Sequence, residues 1–292
     1  MTFSARHLYC ELVAEKENSE LKKRQLKEHN QAEYERGRES LEEEIIDAYV
    51  DAAVTGAERL QRSWRVMTAT GLLGGIEITF GVLAYLLTLH ETGSHLLAAL
   101  AFSIGFVALL LAHSDLFTEG FYYPVVAVAA GKGSWWEVLR MWSITLVTNF
   151  IGGAFSIWLV QLALPELHGT MAESAHSFLE TGLSVQGVAL AFLAGGAITL
   201  MTRMQVGSQD GATTIAAAVA GAFLLAGPPL FHSVLDSIII FGAIFSGAPE
   251  VSFLAWLGWV WWVIPLNVLG GLMLTTMPRV LRGWRAGAAD QS

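Results

Sequence analysis

Long apolar segments separated by short polar links run from residue 66 to residue 276. A helix needs about 20 apolar residues to cross a bilayer, and six segments reach that length: 66–89, 96–130, 135–164, 185–203, 211–245 and 252–276. The second and the fifth are interrupted, at 112–119 and at Gly227–Pro229, by polar or helix-breaking residues. The pattern predicts an all-α membrane protein of six transmembrane helices, with spans two and five broken in mid-membrane.

Both interruptions carry a Leu-Phe dipeptide followed by a polar side chain, which is Thr118 in the first and His232 in the second. Irregular backbone at membrane depth is tolerated only where protein buries it or where it lines a cavity. Paired interruptions in two halves of a chain indicate a substrate site near the bilayer midplane. The repeated motif therefore predicts that the Thr118 hydroxyl and the His232 imidazole face one another in a channel or transporter.

Positively charged residues lie at only one set of span ends. The links at 90–95, 164–184 and 246–251 contain neither Lys nor Arg. Because basic residues concentrate on the cytoplasmic side of a membrane, both termini are expected to be cytoplasmic. The two groups of three spans must then run in opposite senses, which predicts two inverted three-helix repeats. The basic residues at the cytoplasmic ends are Arg62, Arg65, Lys132, Arg140, Arg203, Arg279, Arg282 and Arg285.

Charge divides the chain into regions. Of 292 residues, 53% are hydrophobic and 15% are charged, whereas soluble domains carry about 25% charged residues. Residues 1–65 hold 11 of the 17 Lys and Arg and 14 of the 26 Asp and Glu. We expect a charged cytoplasmic arm over 1–38, an amphipathic cytoplasmic helix over 39–65, the six-span domain over 66–278 and a cytoplasmic tail over 279–292. At helical spacing, the apolar face of the amphipathic helix comprises Ile45, Ile46, Tyr49, Val50, Ala53 and Val54.

Several other classes of function find no support in the residues. The arm mixes both signs of charge and has no long basic run, so no nucleic-acid partner is expected. Cys10 is the only cysteine, which excludes an intramolecular disulfide and a CxxC metal site. No Gly-rich phosphate loop and no HExxH motif is present in the sequence. We therefore expect no cofactor, no metal and no enzymatic activity.

Around the two breaks, the sequence resembles the formate/nitrite transporter family, over about residues 40–280. The resemblance implies homopentamers with an aquaporin-like fold in the cell inner (plasma) membrane, in which each six-span protomer has its own pore. Small monovalent anions such as formate, nitrite, lactate or hydrosulfide, or the corresponding weak acids, are the implied cargo. The matching segments are Asp115–Thr118 with the link Gly131–Trp136, Asn149–Gly153 in span three and Phe231–Ser233 in the second break.

The resemblance also implies roles for individual residues. His232 matches the central pore histidine of the family, and Thr118 matches the threonine that can hydrogen-bond it. Imidazole has an unperturbed pKa of about 6.5, so a proton relayed by His232 would let an anion cross as its neutral acid. Apolar constrictions slow bare ions because desolvation is costly. The implied pore and constriction positions are Asn149, Phe102, Phe106, Leu116, Phe117 and Leu225.

Two departures from the family pattern concern charge. The vestibule lysines of the family are absent, because 54–59 reads Val-Thr-Gly-Ala-Glu-Arg and the link 164–184 carries acids without Lys or Arg. Asp236 stands four residues after His232, where the family commonly has asparagine. If ionised, this carboxylate would favour a charged imidazole; if protonated, it would only donate a hydrogen bond.

Three further acids lie in or beside the membrane. Asp115 is expected to cap the short helix that follows the first break. Glu77 and Glu119 are either functional, as intramembrane acids usually are, or hydrogen-bonded packing groups near a protomer interface. Two alternatives to an anion pore stay open. One is a pore for a neutral or cationic small solute, which the acidic link favours. The other is a non-conducting membrane scaffold whose arm binds a cytoplasmic partner.

Overall fold

The computed structural model describes residues 43–207 and 210–282, with a few positions of the preceding arm (Lys27, 29–31, 33, 34, 37 and 41). All regular structure within these residues is helical. The helices are α1 (43–61), α2 (Trp64–Thr92), α3 (His95–Ala112), α4 (Tyr123–Ala129), α5 (Trp135–Ala163), α6 (His168–Thr181), α7 (Val185–Val206), α8 (Gly211–Ala226), α9 (Ser233–Phe245) and α10 (Phe253–Gly270). Helix α10 continues as a π-helical segment, Gly271–Thr276, and short 3-10 turns occupy Phe117–Phe121 and Pro165–Leu167.

Five helical segments are long and apolar enough to cross a membrane: α2, α3, α5, α7 and the continuous run Phe253–Arg282. Helices α8 and α9 are apolar but shorter, with 16 and 13 residues, and they follow one another across the interruption at 227–232. The protein is an all-helical, multi-pass membrane protein, as the hydrophobic pattern predicts. Its division into six spans and two inverted repeats stays a prediction.

Both interruptions have local causes in the sequence. Helix α3 ends at Ala112, because His113 takes the left-handed conformation with φ of 57°. The chain then runs to a 3-10 turn and to α4, which has Pro124 in its first turn, where proline is favoured. Helix α8 ends at Ala226, because the two prolines that follow Gly227 lack the N–H that a helix requires.

The helices pack as two groups that meet beside the breaks. Helix α2 lies along α3 and α5, and α7 lies along α8 and α10. Contacts of α3 with α8 and of α5 with α9 join the two groups. Glycines permit very close approach: a Cβ on Gly75 would lie 2.3 Å from the carbonyl oxygen of Asn149, and one on Gly270 would lie 1.8 Å from that of Phe192. Small residues thus set the helix spacing.

Helix α1 lies against α4 through part of the predicted face. Ala53 is buried in this contact and Tyr49 packs against it, together with Ala52, which was not predicted. Val50 and Val54, which were predicted to face the membrane domain, are 46% and 42% exposed. Gly56 lies on the contacting face, where a Cβ would lie 2.0 Å from the carbonyl oxygen of Tyr123, and apolar periodicity does not report this close approach. The predicted arm, 1–38, lies almost wholly outside the described residues.

The link between α5 and α7 is largely helical. Helix α6 buries Met171, Ala175 and Phe178 and packs on α9. The Phe178 ring meets Phe231 edge-to-face, with centroids 6.0 Å apart. The acidic link is thereby held directly over the second break.

Candidate pore site

The two breaks meet through one hydrogen bond. Oγ1 of Thr118 lies 2.8 Å from Nε2 of His232, and both residues are fully buried. Thr118 belongs to the 3-10 turn of the first break, and His232 is the N-cap residue of α9. The contact joins positions 114 apart in the chain, so the two halves contribute to a single site.

The second ring nitrogen of His232 caps α9. The backbone N–H of Leu235 donates to Nδ1 at 3.1 Å, so Nδ1 carries no hydrogen. A neutral imidazole with an accepting Nδ1 has its hydrogen on Nε2, and we therefore assign Nε2–H as the donor to Thr118 Oγ1. Within the described part of the chain, Thr118 Oγ1 makes no second hydrogen bond. Its hydroxyl hydrogen is left to be donated to a solute.

Asp236 faces the backbone of His232. Its Oδ2 accepts the His232 backbone N–H at 2.9 Å. The His232 ring accepts the N–H of Leu235, so the two side chains together cap the start of α9. Four-residue spacing within a helix would place the Asp236 carboxylate beside the His232 imidazole. The hydrogen bond that the carboxylate makes is to the backbone N–H of His232. His232 precedes the helix, with φ of −101° and ψ of 117°, and this extended conformation presents its N–H to Asp236.

Asn149 of α5 holds the first break. Its Nδ2 donates to the carbonyl oxygens of Gly71 at 2.7 Å and Asp115 at 2.9 Å, and its Oδ1 accepts the N–H of Phe117 at 2.8 Å. Broken backbone inside a bilayer has no water to bind, so protein groups must satisfy it. Both amide hydrogens of Asn149, an implied pore residue, are occupied by this structural task.

Asn267 of α10 holds the second break in the same way, and the sequence analysis did not identify it. Its Nδ2 donates to the carbonyl oxygens of Ala191 at 2.7 Å and Phe231 at 2.8 Å, and its Oδ1 accepts the N–H of Ser233 at 2.9 Å. A signal was available: the pattern Asn-x-x-Gly-Gly occurs at 149–153 and again at 267–271.

The two asparagines define which residues of the breaks are equivalent. Asn149 binds residues 115 and 117, and Asn267 binds residues 231 and 233. The residue between the bonded pair is Leu116 in one break and His232 in the other. The shared Leu-Phe dipeptide predicts instead that Thr118 and His232 are equivalent, and this alignment is wrong by two residues. The hydrogen bonds from the two asparagines determine which positions of the two breaks are structurally equivalent, and a short sequence motif does not reveal those bonds.

Asp115 connects the first break to α1. Its carboxylate accepts a hydrogen bond from Arg62 Nη1 at 2.8 Å and another from the Thr70 hydroxyl, and Arg59 Nη1 lies 3.8 Å away. The 3-10 turn that follows has Leu116 as its N-cap residue and no side-chain cap. The expectation that Asp115 caps the short helix is therefore wrong, because two arginines of the preceding segment reach its carboxylate.

The other two predicted acids have different surroundings. Glu77 accepts a hydrogen bond from the Ser114 hydroxyl at 2.9 Å through Oε1. Its Oε2 is buried without a partner among the described residues. The side chain of Glu119 lies within electrostatic range of Arg59, and its backbone N–H donates to the carbonyl of Leu116. Glu77 thus contacts the first break through Ser114. Glu119 belongs to that break and lies near Arg59 of α1.

The predicted constriction residues are all buried in one apolar cluster. The Phe102 and Phe106 rings pack edge-to-face at 5.4 Å. The Phe117 ring packs against Phe121 at 5.1 Å and Trp142 at 6.3 Å, which directs it toward α5. The whole predicted set is at most 3% exposed: Phe102, Phe106, Leu116, Phe117 and Leu225.

Two polar cavities open beside α6. One, of ≈ 540 Å³, is lined by Glu173, His176, Glu180 and Glu250 among others. The second, of ≈ 460 Å³, shares Glu173 and is also lined by His90 in the last turn of α2 and His95 at the start of α3. No group of three or more His, Cys, Asp or Glu among the described residues is arranged to hold a metal ion. The solvent-facing surface above the second break is thus acidic.

Comparisons with known proteins concern the family and the fold of the chain. A family model described as "Formate/nitrite transporter" matches residues 43–281. The chain is similar to "Inner membrane protein YfdC" of Escherichia coli (strain K12), with 25% identity over 236 residues, covering 75% of this chain and 72% of that protein. It is similar in fold to an "FNT family ion channel", with a TM-score of 0.69, 16% identity and coverage of 82% of this chain and 98% of that one. It is also similar to a "Pentameric formate channel with formate bound", with a TM-score of 0.63, 16% identity and coverage of 78% and 98%.

Proposed function

Because the chain belongs to the formate/nitrite transporter family, we propose that it is a pore for small monovalent anions or their weak acids, with His232 and Thr118 at its centre. The single observation that carries this proposal is the 2.8 Å bond between Thr118 Oγ1 and His232 Nε2 at the meeting point of the two breaks. Members of this family are channels and transporters, so the protein is not an enzyme.

The site offers donors rather than acceptors. With Nε2–H bonded to Thr118, the threonine hydroxyl hydrogen is free for an anion. The N-terminus of α9 lies beside it, and the N-terminal end of a helix carries a partial positive charge. An anion that leaves water for an apolar pore loses several kcal/mol of hydration, and these groups offset part of that cost. The buried neighbours Phe102, Leu116 and Leu225 would exclude water around it.

We propose the proton-relay role of His232 in a restricted form. If the neutral ring gave up its Nε2 proton alone, an imidazolate would remain. A relay therefore requires a proton to reach Nδ1, and Nδ1 accepts the N–H of Leu235 at 3.1 Å. Protonation of the ring must break this cap and free the amide of Leu235. The relay would thus be coupled to a local opening at the start of α9, and acid would increase flux.

We further propose the assembly and location that the relatives suggest. One similar structure is described as a pentameric formate channel, and one relative is described as an inner membrane protein. Accordingly, this chain would form a homopentamer in the inner membrane with both termini cytoplasmic. The proposed organisation is an arm over 1–38, an amphipathic helix over 39–65, a six-span domain over 66–278 and a tail over 279–292.

A pore for a neutral or cationic solute is the second candidate, and the acidic cavities beside α6 favour it. Glu173, Glu180 and Glu250 line an opening that would repel anions and concentrate cations. The acidic cavity therefore favours cations, whereas the hydrogen-bond donors at the pore centre favour anions. Measurement of which solutes pass distinguishes the two candidate functions.

The test is solute flux into proteoliposomes at about pH 5.5 and about pH 7.5, with formate, nitrite, ammonium and glycerol compared. Acid-stimulated anion uptake that is lost in His232→Ala supports the proposal. His29→Ala, in the predicted arm, serves as a matched histidine control and should leave flux unchanged. Uptake of ammonium or glycerol without anion uptake would favour the second candidate. Anion uptake that is equal in His232→Ala and the unaltered protein would remove the histidine from the mechanism.

A further inference from the structure

A narrow apolar cleft opens between α7 and the π-helical end of α10, beside the second break. Its volume is ≈ 530 Å³, which lies in the range of about 300–1,000 Å³ that is usual for ligand sites. Helices α7 and α8, the break and the π segment all contribute walls. The principal lining residues are Leu193, Leu200, Leu224, Pro228, Leu274 and Arg279.

The cleft is apolar along its length and charged at one end. Leu193, Leu224 and Leu274 are about half exposed, so they lie on the outer surface of the protomer. The Thr275 hydroxyl is turned away, because it donates to the Gly196 carbonyl at 3.1 Å. Arg279 closes one end of the cleft, with Nη1 donating to the Thr275 carbonyl at 2.8 Å and no other hydrogen bond to a residue that the structure describes.

A second arginine extends the same end. Arg203 follows Leu193 and Leu200 at helical spacing on the lining face of α7. The charges of Arg203 and Arg279 act on one another, and both act on Tyr122. Among the residues that the structure describes, no carboxylate forms an ion pair with either arginine. One cation thus lines the end of the cleft and a second lies beside it, with no carboxylate paired to either in the described part of the chain.

We propose that this cleft is a binding site for an anionic phospholipid, with an acyl chain along α7 and the phosphate between Arg203 and Arg279. Leu193 and Arg203 are separated by about 15 Å along the helix, so chain and headgroup contacts are reached by one molecule. Basic pockets between membrane helices bind anionic headgroups, and the membrane-facing cleft is accessible to lipid. The site goes beyond the proposed transport function and does not depend on it.

The lipid site adjoins the second break. Pro228 and Leu230 form part of the cleft wall, and Leu230 lies two residues before His232. Occupancy would press on the segment that positions the pore histidine.

Native mass spectrometry of the purified protein, titrated with phosphatidylglycerol or phosphatidylcholine, tests the site. We expect preferential retention of phosphatidylglycerol, reduced about fivefold for each arginine replaced in Arg203→Gln and Arg279→Gln. Arg65→Gln makes the same change of charge at another membrane end and should retain the preference. Leu224→Trp, which fills the cleft, should weaken both lipids, whereas Leu159→Trp on exposed α5 should weaken neither.

Equal retention of the two lipids by the unaltered protein, or equal loss in Arg65→Gln and Arg279→Gln, would overturn the proposal. So would occupation of the cleft by a second copy of the chain. That occupant is detected by labelling Leu193→Cys with a lipid-soluble maleimide in a Cys10→Ser background, in the delipidated oligomer and in dissociated protomers. Protection in the oligomer alone would mean that the cleft is an interface between protomers. Variants that do not fold are recognised by their elution in size-exclusion chromatography, and Arg203→Lys then serves as the milder change, for which the preference should persist.

Discussion

Asn149 and Asn267 make the same three hydrogen bonds, one set at each break of a membrane helix. Each amide donates to a carbonyl of a neighbouring helix and to a carbonyl of the break, and accepts an N–H two residues further on. The breaks are therefore held by a matched pair of side chains. This relationship explains how backbone groups that lack helical hydrogen bonds are satisfied inside the membrane without water.

Replacing Asn267 by Leu should unfold the second break. The change leaves the carbonyls of Ala191 and Phe231 and the N–H of Ser233 without partners, at a cost of about 2–4 kcal/mol. Asn149→Leu should cost a similar amount, because it leaves the equivalent three groups unpaired. The measurement is thermal or denaturant unfolding in detergent. A destabilisation near zero for either variant would contradict the anchoring role.

Replacing Thr118 by Val should lower anion flux by about tenfold, because the isosteric side chain lacks the hydroxyl that bridges Nε2–H and a solute. Thr118→Ser keeps the hydroxyl and should keep most of the flux. Both are compared by uptake into proteoliposomes containing equal amounts of folded protein. Equal flux in the two variants would show that the hydroxyl is not used.

Asp236→Asn should preserve both stability and acid stimulation, because an amide oxygen can accept the His232 N–H as the carboxylate does. Asp236→Ala removes the acceptor and should destabilise the protein by about 1 kcal/mol, as loss of a helix cap does. Unfolding and the pH profile of flux are measured together. A flat pH profile in Asp236→Asn would mean that the carboxyl group moves protons.

Arg62 and Asp115 should be energetically coupled by about 1 kcal/mol, because their contact is at 2.8 Å and only partly exposed. A double-mutant cycle with Arg62→Gln and Asp115→Asn measures this coupling. The parallel cycle with Arg59→Gln should give a smaller value, since its nitrogen is 3.8 Å from the carboxylate. Additive single effects at Arg62 would exclude a direct pair.

Gly270→Ala should be strongly destabilising, because a Cβ there would lie 1.8 Å from the Phe192 carbonyl oxygen and would force α7 and α10 apart. Gly258→Ala, in the same helix, meets nothing within 4 Å and should be neutral or stabilising by up to about 1 kcal/mol. Comparison of the two melting temperatures separates the steric effect from helix propensity. Similar melting temperatures would contradict the close contact.

The apolar pattern was sufficient to predict an all-helical membrane protein, because each spanning helix must be long and apolar. The second interruption was predicted because two consecutive prolines, Pro228 and Pro229, follow Gly227. The pattern was not sufficient for the site. Asp115 caps nothing, since Arg62 reaches it from a segment whose packing no local pattern reports. The contacting face of α1 includes Ala52 and Gly56 beside the predicted Ala53 for a similar reason, because Gly56 lies against the Tyr123 carbonyl and hydropathy does not detect a missing side chain.

Asn267 shows a different limit. A lone asparagine in an apolar segment resembles any other polar interruption until its partners are known. Its repetition of the Asn-x-x-Gly-Gly pattern of Asn149 was present in the sequence, but the Leu-Phe dipeptide suggested another register. The three hydrogen bonds of each asparagine fix how the two breaks align with one another, whereas the shared Leu-Phe dipeptide does not.

Because Leu116 and His232 occupy equivalent positions in the two breaks, the side chains at the centre of the molecule are chemically asymmetric. At this level the second half of the chain supplies an imidazole and the first half an alkyl group, with the Thr118 hydroxyl two residues further on. Because the imidazole N–H is used by Thr118, a solute at the midpoint is offered a single side-chain hydrogen, that of the Thr118 hydroxyl. Fast conduction requires such weak binding, because a solute bound tightly by both halves of the protein would dissociate too slowly.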